Sequence, residues 1–86
     1  MELKETLKSE VTTIIDLLYQ QNIKEAYPRL LQMLPKMEQF IAGFEKEQQE
    51  GWLEVLKVAL EAMEQQDITL LADVLQYEIL ERINEE

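Results

Sequence analysis

The sequence predicts an all-α fold, in which two αα-hairpins form an up-down antiparallel four-helix bundle within a single domain, residues 1–86. Apolar residues recur at steps of three and four along four segments, which is the periodicity of amphipathic helices. Only two glycines and two prolines occur in the 86 residues. Two similar polar turns, Gln-Gln-Asn-Ile at 20–23 and Gln-Gln-Asp-Ile at 65–68, each separate two of these segments. Helices joined by such short turns run antiparallel, and two hairpins most simply close into a bundle.

The first hairpin is predicted to contain helices at about 2–21 and 23–46. The second of these includes Pro28 and Pro35, and a proline inside a helix removes a backbone hydrogen bond. The two prolines are seven positions apart, so they lie on one line, roughly opposite the apolar stripe. Water can satisfy the freed carbonyls on that side. We therefore expect a curved but continuous helix.

The second hairpin follows the longest predicted connection, a charged and glutamine-rich loop at 45–51 that ends in glycine. Its helices are predicted at about 52–65 and 68–84. Asn22 and Asp67 each precede the second helix of a hairpin, and both residue types are favoured as N-caps. The sequence therefore predicts similar starts for helices 2 and 4.

The net charge of −10 argues against two classes of partner. A surface of this sign repels both phosphate backbones and anionic lipid headgroups, so we expect binding to neither nucleic acid nor membrane. No apolar run reaches the roughly 18 residues needed to span a bilayer. The N-terminal segment lacks the apolar core of a signal peptide. We therefore expect a cytoplasmic protein.

The residue inventory argues against catalysis. The chain has no cysteine and no histidine, so it cannot form a thiol nucleophile, a zinc–thiolate site or the Glu-x-x-His pairs of di-iron bundles. Its single serine, Ser9, has no histidine to activate it. We therefore predict no catalytic residue, no metal site and no cofactor.

Helix 4 has apolar residues beyond its predicted core stripe. Leu70, Val74, Tyr77 and Leu80 form a second apolar face, and helix 3 shows a weaker one at Val55, Val58 and Ala62. A helix that is apolar nearly all round is either wedged between its neighbours or buried in a second interface. Both interpretations stay open from the sequence. The candidate protein-contact residues are Leu70, Asp73, Val74, Tyr77, Glu78 and Leu80.

Trp52 is the only tryptophan and is a candidate interface anchor. It falls on the same helical stripe as Leu56 and Met63, which favours a place in the core under the polar loop.

Residues 59–80 resemble a known group of proteins. They include Glu-Ala-Met-Glu at 61–64 and Asp-Ile-Thr-Leu-Leu-Ala-Asp-Val-Leu-Gln-Tyr-Glu-Ile at 67–79. This pattern resembles the C-terminal signature of small acidic all-helical proteins of unknown function from Firmicutes, some of them associated with motility gene neighbourhoods. The resemblance implies a helical bundle in a bacterial, cytoplasmic setting, and it implies no activity.

These observations together favour a non-enzymatic protein-interaction module. It would act as a homodimer, or as an adaptor or chaperone-like binder of a helical partner, through helix 4. The alternative is an acidic regulatory protein that binds a basic site on its target. Salt dependence distinguishes the two, because binding driven by charge weakens steeply with ionic strength.

Overall fold

The computed structural model describes residues 2–85. Four helices follow one another with no strand in this part of the chain, which confirms the predicted all-α four-helix bundle. Their bounds are α1, Leu3–Tyr19; α2, Ile23–Ile41; α3, Lys46–Glu64; and α4, residues 68–85. Within α4, the central segment Val74–Leu80 is a π-helix between the α-helical segments Ile68–Asp73 and Glu81–Glu85.

One hydrophobic core joins the four helices. The predicted apolar stripes supply it, and α1 packs against both α2 and α4 while α3 packs mainly against α4. No polar or charged residue between 2 and 85 is buried. The largest fully buried side chains are Trp52, Leu7, Ile14, Leu18, Leu30, Met33, Met37, Leu71, Leu75, Ile79, Ile83 and Val11.

The connection between the hairpins is shorter than the sequence predicted. Helix α2 ends at Ile41 rather than near 46, and α3 begins at Lys46, so most of the expected loop 45–51 is helical. Lysine, glutamate and glutamine are good helix formers, and together they outweigh the cost of about 1 kcal/mol for Gly51 in the helix interior. Gln49 also donates its side-chain amide to the Phe44 carbonyl at 2.8 Å, which ties the connection to α3.

An aromatic cluster lies at this connection. Phe40 makes edge contacts with Phe44 and Trp52, at ring-centroid distances of 5.1 and 6.0 Å. Phe44 stacks on Trp52 with ring centroids 6.3 Å apart. Trp52 is buried, so the predicted core position is confirmed. The cluster fixes the end of α2 to the start of α3.

The two similar turns adopt the same backbone conformation. Gln21 and Gln66 have φ angles of 60° and 58°, in the left-handed region that usually favours glycine. Each turn forms the paired hydrogen bonds of a Schellman motif. The amide-to-carbonyl distances are Gln21–Leu18 2.9 Å, Asn22–Leu17 2.8 Å, Gln66–Met63 3.1 Å and Asp67–Ala62 2.9 Å.

Only one of the two predicted N-cap side chains, at Asn22 and Asp67, makes a capping hydrogen bond. Asp67 accepts the Leu70 amide on Oδ1 at 3.1 Å, which confirms the cap of α4. Asn22 occupies the N-cap position of α2, but its side chain makes no capping hydrogen bond. Pro28 and Pro35 both lie exposed inside a continuous α2, as their spacing predicted.

Candidate protein-interaction site

The candidate contact residues of helix α4 divide into two groups. Leu70 and Tyr77 are 39% and 56% exposed, and Asp73 and Glu78 are exposed as well. These four side chains are accessible to a partner. Exposed large apolar residues that stand alone are ordinary, so their neighbours decide whether they form a surface.

Val74 and Leu80 do not belong to this accessible group. Val74 is only 6% exposed and is part of the core, while Leu80 is half-buried against it. The sequence placed both on an outer face by assuming a constant α-helical rotation per residue. Val74 is buried because α4 packs against α3 as well as α1. The π-helical segment Val74–Leu80 has more residues per turn, so the directions of side chains after Val74, such as Leu80, depart from that assumption. The predicted second apolar face is therefore partly interior.

A groove runs along the outer surface between α3 and α4, and we call it the α3/α4 groove. It has a volume of about 430 Å³, and three valines, Val55, Val58 and Val74, form its apolar lining. Glu54, Glu78 and Arg82 border it, together with Gly51. Arg82 and Glu78 lie 3.8 Å apart as an ion pair one turn apart on α4. The groove is thus apolar with charges of both signs at its edge.

A second groove lies between α2 and α3, and we call it the α2/α3 groove. Its volume is about 350 Å³, and it is lined by Leu34, Leu53, Leu56 and Leu60. Glu38, Lys57, Glu61 and Glu64 border these leucines. This groove was not predicted from the sequence. Leu53, which lies off the stripe of Trp52, was the signal that could have revealed it.

Side chains that could bind a metal ion are not clustered among residues 2–85. No group of three or more histidine, cysteine, aspartate or glutamate residues is close enough there to hold a metal ion. Two contacts between polar side chains join neighbouring helices. Tyr19 donates to Gln76 Oε1 at 2.8 Å, and Lys36 pairs with Glu10. These contacts connect α1 to α4 and to α2, respectively.

None of the helices described between residues 2 and 85 has the length and apolar character required to cross a membrane.

The sequence matches the model of a protein family. The model of a domain of unknown function, DUF8042, matches residues 1–85. Comparisons with curated proteins and with solved structures return no match.

Proposed function

The chain belongs to the DUF8042 family, and we propose that it is a non-enzymatic protein-interaction module that binds a second copy of itself through the α3/α4 groove. The observation that carries this proposal is the apolar lining of the groove, together with exposed apolar side chains on one of the helices that form it. Val58 in its lining is 38% exposed, and on α4 the side chains of Leu70, four positions before Val74, and Tyr77, three positions after it, are exposed as well.

The area required for dimerisation supports the use of this whole surface. A stable pair buries roughly 800 Å² on each partner, about a seventh of the accessible area of 5469 Å². The groove alone is too small for this. We therefore include Leu70 and Tyr77, which are exposed in the single chain, in the proposed interface.

The border charges favour a second copy over a strongly charged partner. In a two-fold symmetric pair the same surface meets itself, so each positive group needs a negative group within that surface. Arg82 provides the positive charge, and Glu54 and Glu78 provide the negative ones. Such an arrangement can pair across the two-fold axis despite the net charge of −10.

The amino-acid composition supports the proposal that the protein is not an enzyme. With no histidine or cysteine and a single serine, the chain lacks the usual activated nucleophiles and bases. The apolar grooves offer surface for packing rather than converging polar groups for chemistry.

Sedimentation equilibrium over a range of micromolar concentrations tests the dimer. We expect the wild-type chain to dimerise, and Val58→Ser and Tyr77→Ser each to weaken dimerisation about tenfold, equivalent to about 1.4 kcal/mol. Leu31→Ser is the matched control, because Leu31 is similarly exposed but lies on α2. A wild-type chain that stays monomeric at several hundred micromolar (on the order of a millimolar dissociation constant) would exclude the dimer.

A second candidate function, an acidic regulator that binds a basic site on its target, is favoured by the net charge of −10. Its binding should weaken steeply with added salt, whereas an interface centred on Leu70 and Tyr77 should respond little.

A further inference from the structure

From the α2/α3 groove we infer a second binding site, which takes a basic amphipathic helix from a different protein. This inference concerns another surface than the proposed dimer and does not depend on it. The two grooves lie on different sides of α3 and share no lining residue.

The groove presents leucines that the bundle leaves accessible. Leu53 is 53% exposed, and Leu34 and Leu60 are half-buried at the edge of the core. Leu31 is 52% exposed and lies three positions from Leu34, on the same side of α2. Helices α2 and α3 are fixed together by the aromatic cluster at their connection, yet pack against each other less extensively than either packs elsewhere. The leucines therefore line an open apolar channel.

The spacing of two leucines on the α3 wall matches the spacing of anchor residues on a helix. Leu53 and Leu60 are two turns apart on α3, a distance of about 10.5 Å along the axis. A helix laid into such a channel uses apolar anchors at positions i, i+3 or i+4, and i+7, which span the same two turns. Leu34 on the opposite wall supplies contacts to the other side of such a helix.

The border charges determine which helix can enter. Three glutamates, Glu38, Glu61 and Glu64, border the channel, against a single lysine, Lys57. Lysine or arginine residues flanking the apolar anchors of the partner would lie beside these carboxylates. The opposite charge on the partner is therefore the feature that selects it.

The same charges disfavour the other occupants. A second copy of this chain would bring its own acidic border against this one, and like charges placed face to face are repelled. Anionic lipid surfaces and nucleic acid backbones are repelled for the same reason. This border differs from that of the α3/α4 groove, where Arg82 accompanies the glutamates.

A labelled synthetic peptide tests the inference by fluorescence anisotropy. The probe is a helix of about 18 residues with leucines at i, i+3 and i+7 and lysines on either side of them. A second peptide carries glutamate in place of every lysine. We expect the lysine peptide to bind the full chain at micromolar concentrations and the glutamate peptide to bind at least about tenfold more weakly.

Two pairs of variants locate the site. Leu53→Ser should weaken binding of the lysine peptide about tenfold, whereas Leu70→Ser, also at an exposed leucine, should leave it unchanged. Glu61→Lys should weaken binding severalfold more than Glu25→Lys, which makes the same change of charge at an exposed position on α2 outside the groove. Circular dichroism verifies that each variant is folded.

Three results would overturn the inference: no binding of the lysine peptide up to about 1 mM, equal binding of both peptides, or equal losses within each pair of variants. None of these depends on dimerisation. Conversely, a strictly monomeric chain that binds the lysine peptide through Leu53 would exclude the proposed dimer and leave this site intact.

Discussion

The guanidinium carbon of Arg82 lies 5.8 Å from the centroid of the Trp52 ring. This contact connects the last part of α4 to the beginning of α3, next to the aromatic cluster. The same arginine pairs with Glu78 and borders the α3/α4 groove. Arg82 therefore takes part in both the packing of the second hairpin and the charge pattern of its surface.

Replacing Arg82 with glutamine removes the cation–π contact and is expected to lower the free energy of unfolding by about 0.5–1 kcal/mol. The exposed ion pair with Glu78 adds little to this. Urea denaturation followed by fluorescence is suitable, because Trp52 is the only tryptophan. Arg29→Gln, at an exposed arginine on α2, serves as the control and should have almost no effect. Equal losses in the two variants would contradict the assigned contact.

Gly51→Ala tests the helical start of α3. Alanine is favoured over glycine inside a helix by about 1 kcal/mol. A Cβ atom at position 51 would lie 3.3 Å from a terminal nitrogen of Arg82, and this flexible end can shift slightly. We expect a net stabilisation of about 0.5 kcal/mol in urea denaturation. Gly43→Ala, in the connection, should change stability less. A clear destabilisation by Gly51→Ala would show that the approach to Arg82 is tighter than the structure indicates.

The left-handed glutamines can be replaced by the residue that this conformation favours. Gln21→Gly and Gln66→Gly should each raise the free energy of unfolding by up to about 1 kcal/mol, because glycine adopts a positive φ without steric cost. Gln65→Gly is the matched control, since Gln65 has a φ of −82° in the right-handed region. That control should destabilise the chain. Thermal denaturation of the three variants would distinguish the two conformations, and a loss of stability in all three would contradict them.

The two N-cap positions give a paired prediction. Asp67→Ala should cost about 1 kcal/mol of stability, because the Leu70 amide loses its side-chain acceptor. Asn22→Ala should cost markedly less, since the Asn22 side chain makes no capping hydrogen bond. Denaturant titration of both variants measures the difference. Similar losses would mean that Asn22 also caps its helix in solution.

The helices and most core positions followed from apolar periodicity, because burial of one stripe per helix is a local property of the sequence. The start of α3 could not be predicted in this way, because Gly51 and the charged residues before it are also compatible with a loop. Tertiary packing determines where α3 begins, because Trp52 is buried against Phe40 and Phe44. The left-handed backbone conformation of Gln21 and Gln66 could not be predicted either, because glycine is the residue type that usually occupies such positions.

The candidate site was predictable only in part. Leu70 and Tyr77 are exposed as an outer face requires, but Val74 is buried because α4 packs against α3 as well as α1. Leu80 follows within the π-helical segment and is half-buried. A π-helix has no reliable sequence signal, so a constant rotation per residue misplaces the side chains that follow its start. The α2/α3 groove depends on how closely two helices approach, which tertiary packing sets and a single helix does not reveal.

Helix α3 forms one wall of both grooves, with Val55 and Val58 on one side and Leu53 and Leu60 on the other. A ligand that displaces this shared wall changes the shape of the opposite groove as well. Thermodynamic linkage makes any such effect mutual: if occupancy of one groove alters affinity at the other by some factor, the reverse holds by the same factor. In a dimer formed through Val58, the affinity for the peptide and the affinity between subunits would then depend on each other. The ratio of the dimer dissociation constants measured with and without saturating peptide would give the coupling free energy.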